Sequence, residues 1–176
     1  MIVFGKERDY VVHDDKNIKG LFGEYRFLSN FEECPVYFDG LLYNSTEAAY
    51  QSTKTLNMRK RKEFTSMRPN ISMKAGRAME STDFFRDDWK DVKYDIMSSV
   101  IFDKFYRNME LRQKLLATGN KYIEETNHWH DVYWGVCNGK GKSNLGKILM
   151  GVRDFWKLNQ KVVNENQYKL NLNFED

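Results

Sequence analysis

The stretch Asp88–Tyr106, DWKDVKYDIMSSVIFDKFY, sets Trp89, Val92, Ile96, Val100 and Ile101 three and four residues apart. That spacing predicts one long helix with a single face on a core. On its N-terminal side, helical patterns continue at Met58–Ser66 and Ser72–Met79. Before those, Asn44 is a plausible N-cap with Glu47 three residues on, for a helix running toward Leu56. On its C-terminal side, Asn108 caps a predicted helix over Met109–Ala117, which exposes Leu111, Leu115 and Leu116 to a core and stops at Gly119. Tyr122–Thr126 reads as extended. A final helix begins at Ser143 or Asn144, with Leu145, Ile148, Leu149, Val152 and Trp156 as its apolar stripe.

Strands are few and short. Met1–Phe4 and Tyr10–Val12 are β-branched or aromatic runs, and Val36–Phe38 with Leu41–Tyr43 flank Asp39-Gly40, a hairpin turn. In the tail Tyr168, Leu170, Leu172 and Phe174 alternate with polar residues, which predicts a terminal strand. The expected fold is mainly α, an α+β domain with a few short strands, spanning residues 1–157 and followed by a tail over 158–176.

The 176 residues are enough for one sizeable core, and 41% hydrophobic with 15% aromatic residues excludes disorder for the bulk of the chain. No apolar run approaches the roughly 18 residues that span a bilayer. Met1–Tyr10 carries Lys6, Glu7, Arg8 and Asp9 where a secretory leader needs an apolar run, so a cytoplasmic location and no membrane partner are expected. Cys34 and Cys137 stand too far apart for a zinc knuckle and too few for a disulfide scaffold, so reduced thiols are expected.

The net charge of +3 is unevenly spread. Lys54–Arg77 holds eight of the 28 basic residues and one acid, Glu63, giving +7 there and −4 elsewhere. Such a segment suits a phosphate-bearing partner, nucleic acid or nucleotide, although Arg59, Lys60, Arg61 and Lys62 in succession point around a helix and read as a solvated face.

Three constellations have residue types that carry chemistry. Glu47, Tyr50, Gln51 and Lys54 fall on one helical face, either as catalytic groups or as a capping box over Asn44-Ser45-Thr46-Glu47 beside a wet surface. Gly139-Lys140-Gly141-Lys142-Ser143 runs into a helix start, which suits an anion or is an ordinary turn. It is not a P-loop, because that motif needs glycine where Val136 stands. His128, Trp129, His130, Asp131, Tyr133 and Trp134 crowd together. Too few imidazoles are present for a metal site there, and the rings suit core packing, but a carboxylate among rings needs a partner or a function.

Taken together, Phe27-Leu28-Ser29-Asn30-Phe31, Thr46–Lys54, Ala75-Gly76-Arg77, Trp89, Asp131–Gly135, Gly139–Gly146 and Leu149–Arg153 resemble the YbiA-like, or NADAR, proteins in order and spacing, over roughly Gly20 to Lys157. The resemblance implies a mainly helical N-glycosidase without cofactor or metal. Its substrates would be ribosylated nucleotides: ADP-ribosylated guanine, including that on DNA or RNA, or a ribosylaminopyrimidine phosphate of riboflavin synthesis. By motif position Glu47, Trp89, Asp131 and Trp134 match the family's active-site residues, with Lys54 as a further catalytic candidate. Asn30, Phe31, Gln51, Gly135, Gly141 and Asn144 lie in the matched motifs as substrate-binding candidates. The chain departs from the family at His128-Trp129-His130, at Val136-Cys137-Asn138 and after Lys157.

Breaking a ribose C1–N bond builds positive charge on C1 and O4, which calls for a carboxylate. Glu47 is the candidate, as cation stabiliser, base or nucleophile, and Asp131 is the second carboxylate. Trp89 and Trp134 suit base stacking, while Arg77 and the Gly139–Asn144 loop suit phosphate. A neutral Lys54 amine would instead form a Schiff base with the ring-opened sugar. The rival from another class is a non-catalytic ADP-ribose or nucleic-acid binding module using the basic segment.

Overall fold

A computed structural model describes residues 11–172, with the surroundings of side chains up to residue 159. Helix α4 spans Trp89–Arg107, within a residue of the expected bounds. The helix buries Trp89, Ile96, Met97, Val100, Ile101, Lys104 and Phe105. Sequestering a side chain such as Ile101 or Phe105 contributes about 2 kcal/mol each. Around it lie α1 (Thr46–Ser52), α2 (Met58–Glu63), α3 (Pro69–Met79), α5 (Met109–Ala117) and α6 (Asn144–Leu172). The architecture is mainly α, an α+β fold with small sheets.

Local chemistry moves several boundaries. Ser45, not Asn44, caps α1: its hydroxyl accepts from the Ala48 amide at 3.1 Å, while Asn44 belongs to strand β4. The helix ends at Ser52 rather than near Leu56, because Thr53 bonds its hydroxyl back to the Tyr50 carbonyl and the chain turns. Helix α3 starts three residues before the expected Ser72, since Pro69 occupies the first helical position, where its missing N–H costs nothing. Asn108 is the N-cap residue of α5, as expected, but its side chain turns to the end of α4, its amide donating to the Lys104 and Pro35 carbonyls. The 3-10 turn over Gly23–Leu28 had no sequence signal.

The hairpin β3 (Glu33–Phe38) and β4 (Leu41–Ser45) forms as expected, pairing Phe38 with Leu41 around Asp39 and Gly40, both at positive φ. Two further sheets have three strands each. One joins β1 (Val12–His13), β2 (Asn17–Lys19) and β5 (Tyr122–Glu124); the other joins β6 (Thr126–Asn127), β7 (Val136–Cys137) and β8 (Lys140–Gly141). Strand β1 overlaps the expected Tyr10–Val12 only at Val12, and Met1–Phe4 lies outside the described residues. Of their parallel pairs, β2 with β5 ties chain segments far apart in sequence, whereas β6 with β7 closes the loop between them.

The expected terminal strand is not formed. Tyr168, Leu170 and Leu172 belong to α6, and Phe174 lies outside the described residues. Adding residues to an established helix gains one hydrogen bond per residue, whereas a strand needs a partner edge. Cys34 and Cys137 are buried free thiols. No helix among the described residues is long and apolar enough to cross a membrane.

Candidate active site

A cleft of about 940 Å³ opens between α1, α3, the start of α4 and the loop after β5. Its lining includes Glu47, Asp131, Lys54, Asn30, Phe31, Gln51, Arg77, Trp89 and Trp134, so nine of the sequence candidates converge. The other three do not line it.

Helix α1 supplies one wall. With Ser45 as cap, Glu47 sits in the first turn, but its carboxylate turns away from the backbone and accepts from the Gln51 amide at 2.9 Å, one helical turn on. The capping-box reading therefore fails: the chain's own N-cap is satisfied by Ser45, which frees Glu47 for the cleft. Burial pushes the Glu47 carboxyl up to about 7, opposed by the Gln51 hydrogen bond and by the charges of Lys54 and Arg77. The Glu47 amide bonds the Asn30 carbonyl at 3.0 Å, which fixes the helix start against the Ser29–Phe31 segment. That segment is held from below by Lys104, whose buried ammonium donates to the Ser29 carbonyl at 2.8 Å.

Lys54 follows the last turn of α1 and is 5% exposed. Its ammonium pairs with Glu80 and lies 5.8 Å from the Trp89 ring centre. Helix α3 approaches this wall closely because residue 76 is glycine: a Cβ there would fall 2.0 Å from Gln51 Oε1 and 2.9 Å from its Cβ. Arg77, next along α3, is exposed at the cleft rim.

The aromatic candidates form a connected cluster. The Tyr50 ring lies 5.1 Å from Trp89 and 5.7 Å, edge-on, from Trp134; Trp134 also stacks on Tyr94 at 6.3 Å. Trp89 is buried and serves as wall, whereas Trp134 is half-buried. Burial drives the Tyr50 phenol well above its usual value, so it stays a neutral hydroxyl.

The opposite wall is the loop from Glu125 to Trp134. Asn127 grips it through its side-chain amide, donating to the Asp131 carbonyl at 2.8 Å and accepting from the Asp131 amide at 3.2 Å. One Asp131 oxygen accepts the backbone amides of Tyr133 and Trp134, at 3.0 and 2.8 Å. His130 adopts φ +66° in this turn, and its ring faces Cys137. Among the described residues no three His, Cys, Asp or Glu side chains gather as a metal site.

Glu125 was not singled out from sequence, yet it lines the cleft. Burial and the negative charges of Asp131 and Glu47 push its carboxyl up to about 8. The available signal was a second acid directly after the apolar strand residue Ile123 and its neighbour Glu124, in a segment that must face the interior. Arg26, Glu80 and Lys93 are further lining groups the sequence did not single out, with the Lys93 ammonium 3.7 Å from the Tyr133 ring centre.

Gly135, Gly141 and Asn144 serve the packing beneath this loop. A Cβ at Gly135 would lie 2.3 Å from the Glu125 carbonyl oxygen, and one at Gly141 2.2 Å from the Gly135 carbonyl oxygen. Asn138 and Gly139, both at positive φ, turn β7 into β8, so the glycine-rich stretch is a hairpin. Asn144 is buried at the start of α6. Nor does the basic segment make one patch. Arg61 is buried against Asp39, Lys60 pairs with Glu63 and Lys54 with Glu80, leaving Arg59, Lys62, Arg68, Lys74 and Arg77 exposed, of which only Arg77 lines the cleft. Arg61 thus departs from the solvated face expected of it.

The fold and cleft define an α+β domain that buries carboxyl groups among aromatic rings. The NADAR domain family matches residues 13–157, and the chain belongs to that family. It is 35% identical over 134 residues to N-glycosidase YbiA of Shigella boydii, covering 74% of this chain and 81% of that protein. It is 34% identical over 130 residues to riboflavin biosynthesis protein VVA0006 of Vibrio vulnificus, covering 73% of this chain but only 35% of that longer protein. The NMR structure of the Escherichia coli protein YbiA superposes with a TM-score of 0.72 at 30% identity, covering 88% of this chain and 92% of that one.

Proposed function

We propose that this chain is an N-glycosidase that hydrolyses the ribose C1–N bond of a ribosylated, phosphate-bearing base. The observation that carries the reading is a carboxyl pushed up to about 7, Glu47, in a cleft walled by Trp89, Tyr50 and Trp134 and rimmed by Arg77, Lys93 and Arg26. A carboxyl poised near neutrality exchanges protons at working pH, and its ionised form stabilises positive charge at C1. The free Asp131 oxygen suits a ribose hydroxyl. The rim cations suit phosphate in place of the Gly139–Asn144 loop.

ADP-ribosylated guanine is the substrate we favour, because about 940 Å³ leaves room for a dinucleotide-sized ligand. A ribosylaminopyrimidine phosphate is the second substrate, supported by the riboflavin-related name of the Vibrio protein. The test is release of free base at catalytic protein concentration from each of the two. Retention of the ligand without turnover would make the domain a binding module. The Schiff-base route needs a free amine, and the Lys54 side chain is engaged in an ion pair with Glu80. Borohydride trapping separates the routes: a sugar mass on the Lys54 peptide assigns attack to the amine, and its absence leaves attack with water.

A further inference from the structure

Four carboxyl groups line the cleft, and their surroundings differ. Glu80 pairs with Lys54. Glu47 accepts from Gln51. Asp131 accepts two backbone amides on one oxygen. Glu125 is half-buried, makes no side-chain hydrogen bond or ion pair among the described residues and faces the negative charges of Asp131 and Glu47. Shielding a carboxylate from water without a donor or a cation is costly, and placing it beside two others adds repulsion. The group relieves both by keeping its proton. Pairs of carboxyls whose environments differ in this way divide into proton donor and acceptor.

We propose that Glu125 is the general acid of this site, protonating the leaving base; the assignment rests on the N-glycosidase reading above. As the C1–N bond breaks, its electron pair goes to nitrogen and the Glu125 proton moves onto that nitrogen. Water oxygen forms the new bond to C1, and the proton it loses goes to the Glu47 carboxylate. Exchange with solvent returns Glu47 to its ionised form and Glu125 to its protonated form. Asp131 is less well placed to donate, because one of its oxygens is already engaged by the Tyr133 and Trp134 amides. The backbone reinforces the placement. The Glu125 carbonyl accepts the Val136 amide at 2.9 Å, and Gly135 lets that strand approach, so the carboxyl is carried on a fixed support.

The test compares leaving groups. Glu125→Gln should lose about 100-fold or more on an N-linked ribosylated base, which cannot depart without a proton. On 4-nitrophenyl riboside 5-phosphate, whose leaving group departs as a stable anion, the loss should shrink below about tenfold. Equal losses on both substrates, or no loss on the N-linked one, would overturn the assignment. If the Gln variant fails to fold, the same comparison is read from Glu125→Asp, with the same two outcomes overturning it. Wild-type protein inert on both substrates would instead remove the N-glycosidase reading, and the role of Glu125 with it.

Discussion

The two walls of the cleft are built by different means. On the α1 side, Glu47, Gln51 and Lys54 are spaced by the helix repeat itself, and the Glu47–Gln51 bond is an i,i+4 contact that any helix would offer. On the opposite side Glu125 and Asp131 sit on irregular backbone, and their directions come from the Asn127 side chain, the turn at His130 and the close approach of Gly135. A regular element aims its side chains by periodicity. A loop aims them only through particular contacts, so single substitutions should act differently on the two walls.

The largest effect is expected at the helical wall. Glu47→Gln keeps shape and loses charge, so turnover should fall by about 100-fold or more while ligand binding persists. Near-normal turnover would reduce Glu47 to a buried structural acid. The same variant tests the cost of burying it. With its value raised from 4.5 to about 7, folded protein holds a proton that unfolded chain has released between those pH values. Stability is therefore full below about pH 4.5 and falls as pH rises through 7, by up to about 3 kcal/mol. Glu47→Gln should flatten that decline, and urea unfolding at pH 5 and pH 8 reads it.

The loop wall should answer to its clamp. Asn127→Ala removes both bonds to the Asp131 backbone, so we expect about a tenfold fall in kcat/KM with the fold retained, because misplacement by a fraction of an ångström is enough. An unchanged value would mean that Asp131 and Glu125 are held by other contacts. A smaller loss should follow the joint between α1 and α3. In Gly76→Ala the new methyl displaces Gln51, costing about 1–3 kcal/mol and loosening Glu47. If stability falls but the pH profile of kcat is unmoved, Gln51 does not govern Glu47.

Two changes should do almost nothing. Lys140→Ala alters the hairpin strand β8, which lies off the cleft, and KM should stay within about twofold, the scale of an exposed charge. A tenfold rise in KM would return the Gly139–Asn144 loop to the phosphate site. Dialysis against EDTA should leave turnover intact, and a loss that zinc or magnesium restores would make His128, His130 or Asp131 a ligand.

The starts of the helices were legible in the sequence to within a few residues, because apolar spacing follows a fixed repeat: α4 and α5 fell where Trp89 to Phe105 and Leu111 to Leu115 required, whereas the far end of α6 did not. The sequence by itself also determined the Asp39-Gly40 hairpin and the polar face of α1, which are local consequences of backbone geometry. Only the tertiary structure decided whether that face was cap or site. The answer depended on which neighbour, Asn44 or Ser45, took the cap, and on what covered Glu47. Tertiary structure likewise placed Gly135 and Gly141 at packing positions off the cleft, since the clash that demands glycine is with the backbone carbonyls of Glu125 and Gly135. Glu125 was illegible for the same reason. Its proton affinity is set by burial and by two carboxylates from elsewhere in the chain, Glu47 and Asp131, and charge repulsion through space leaves no period in a sequence.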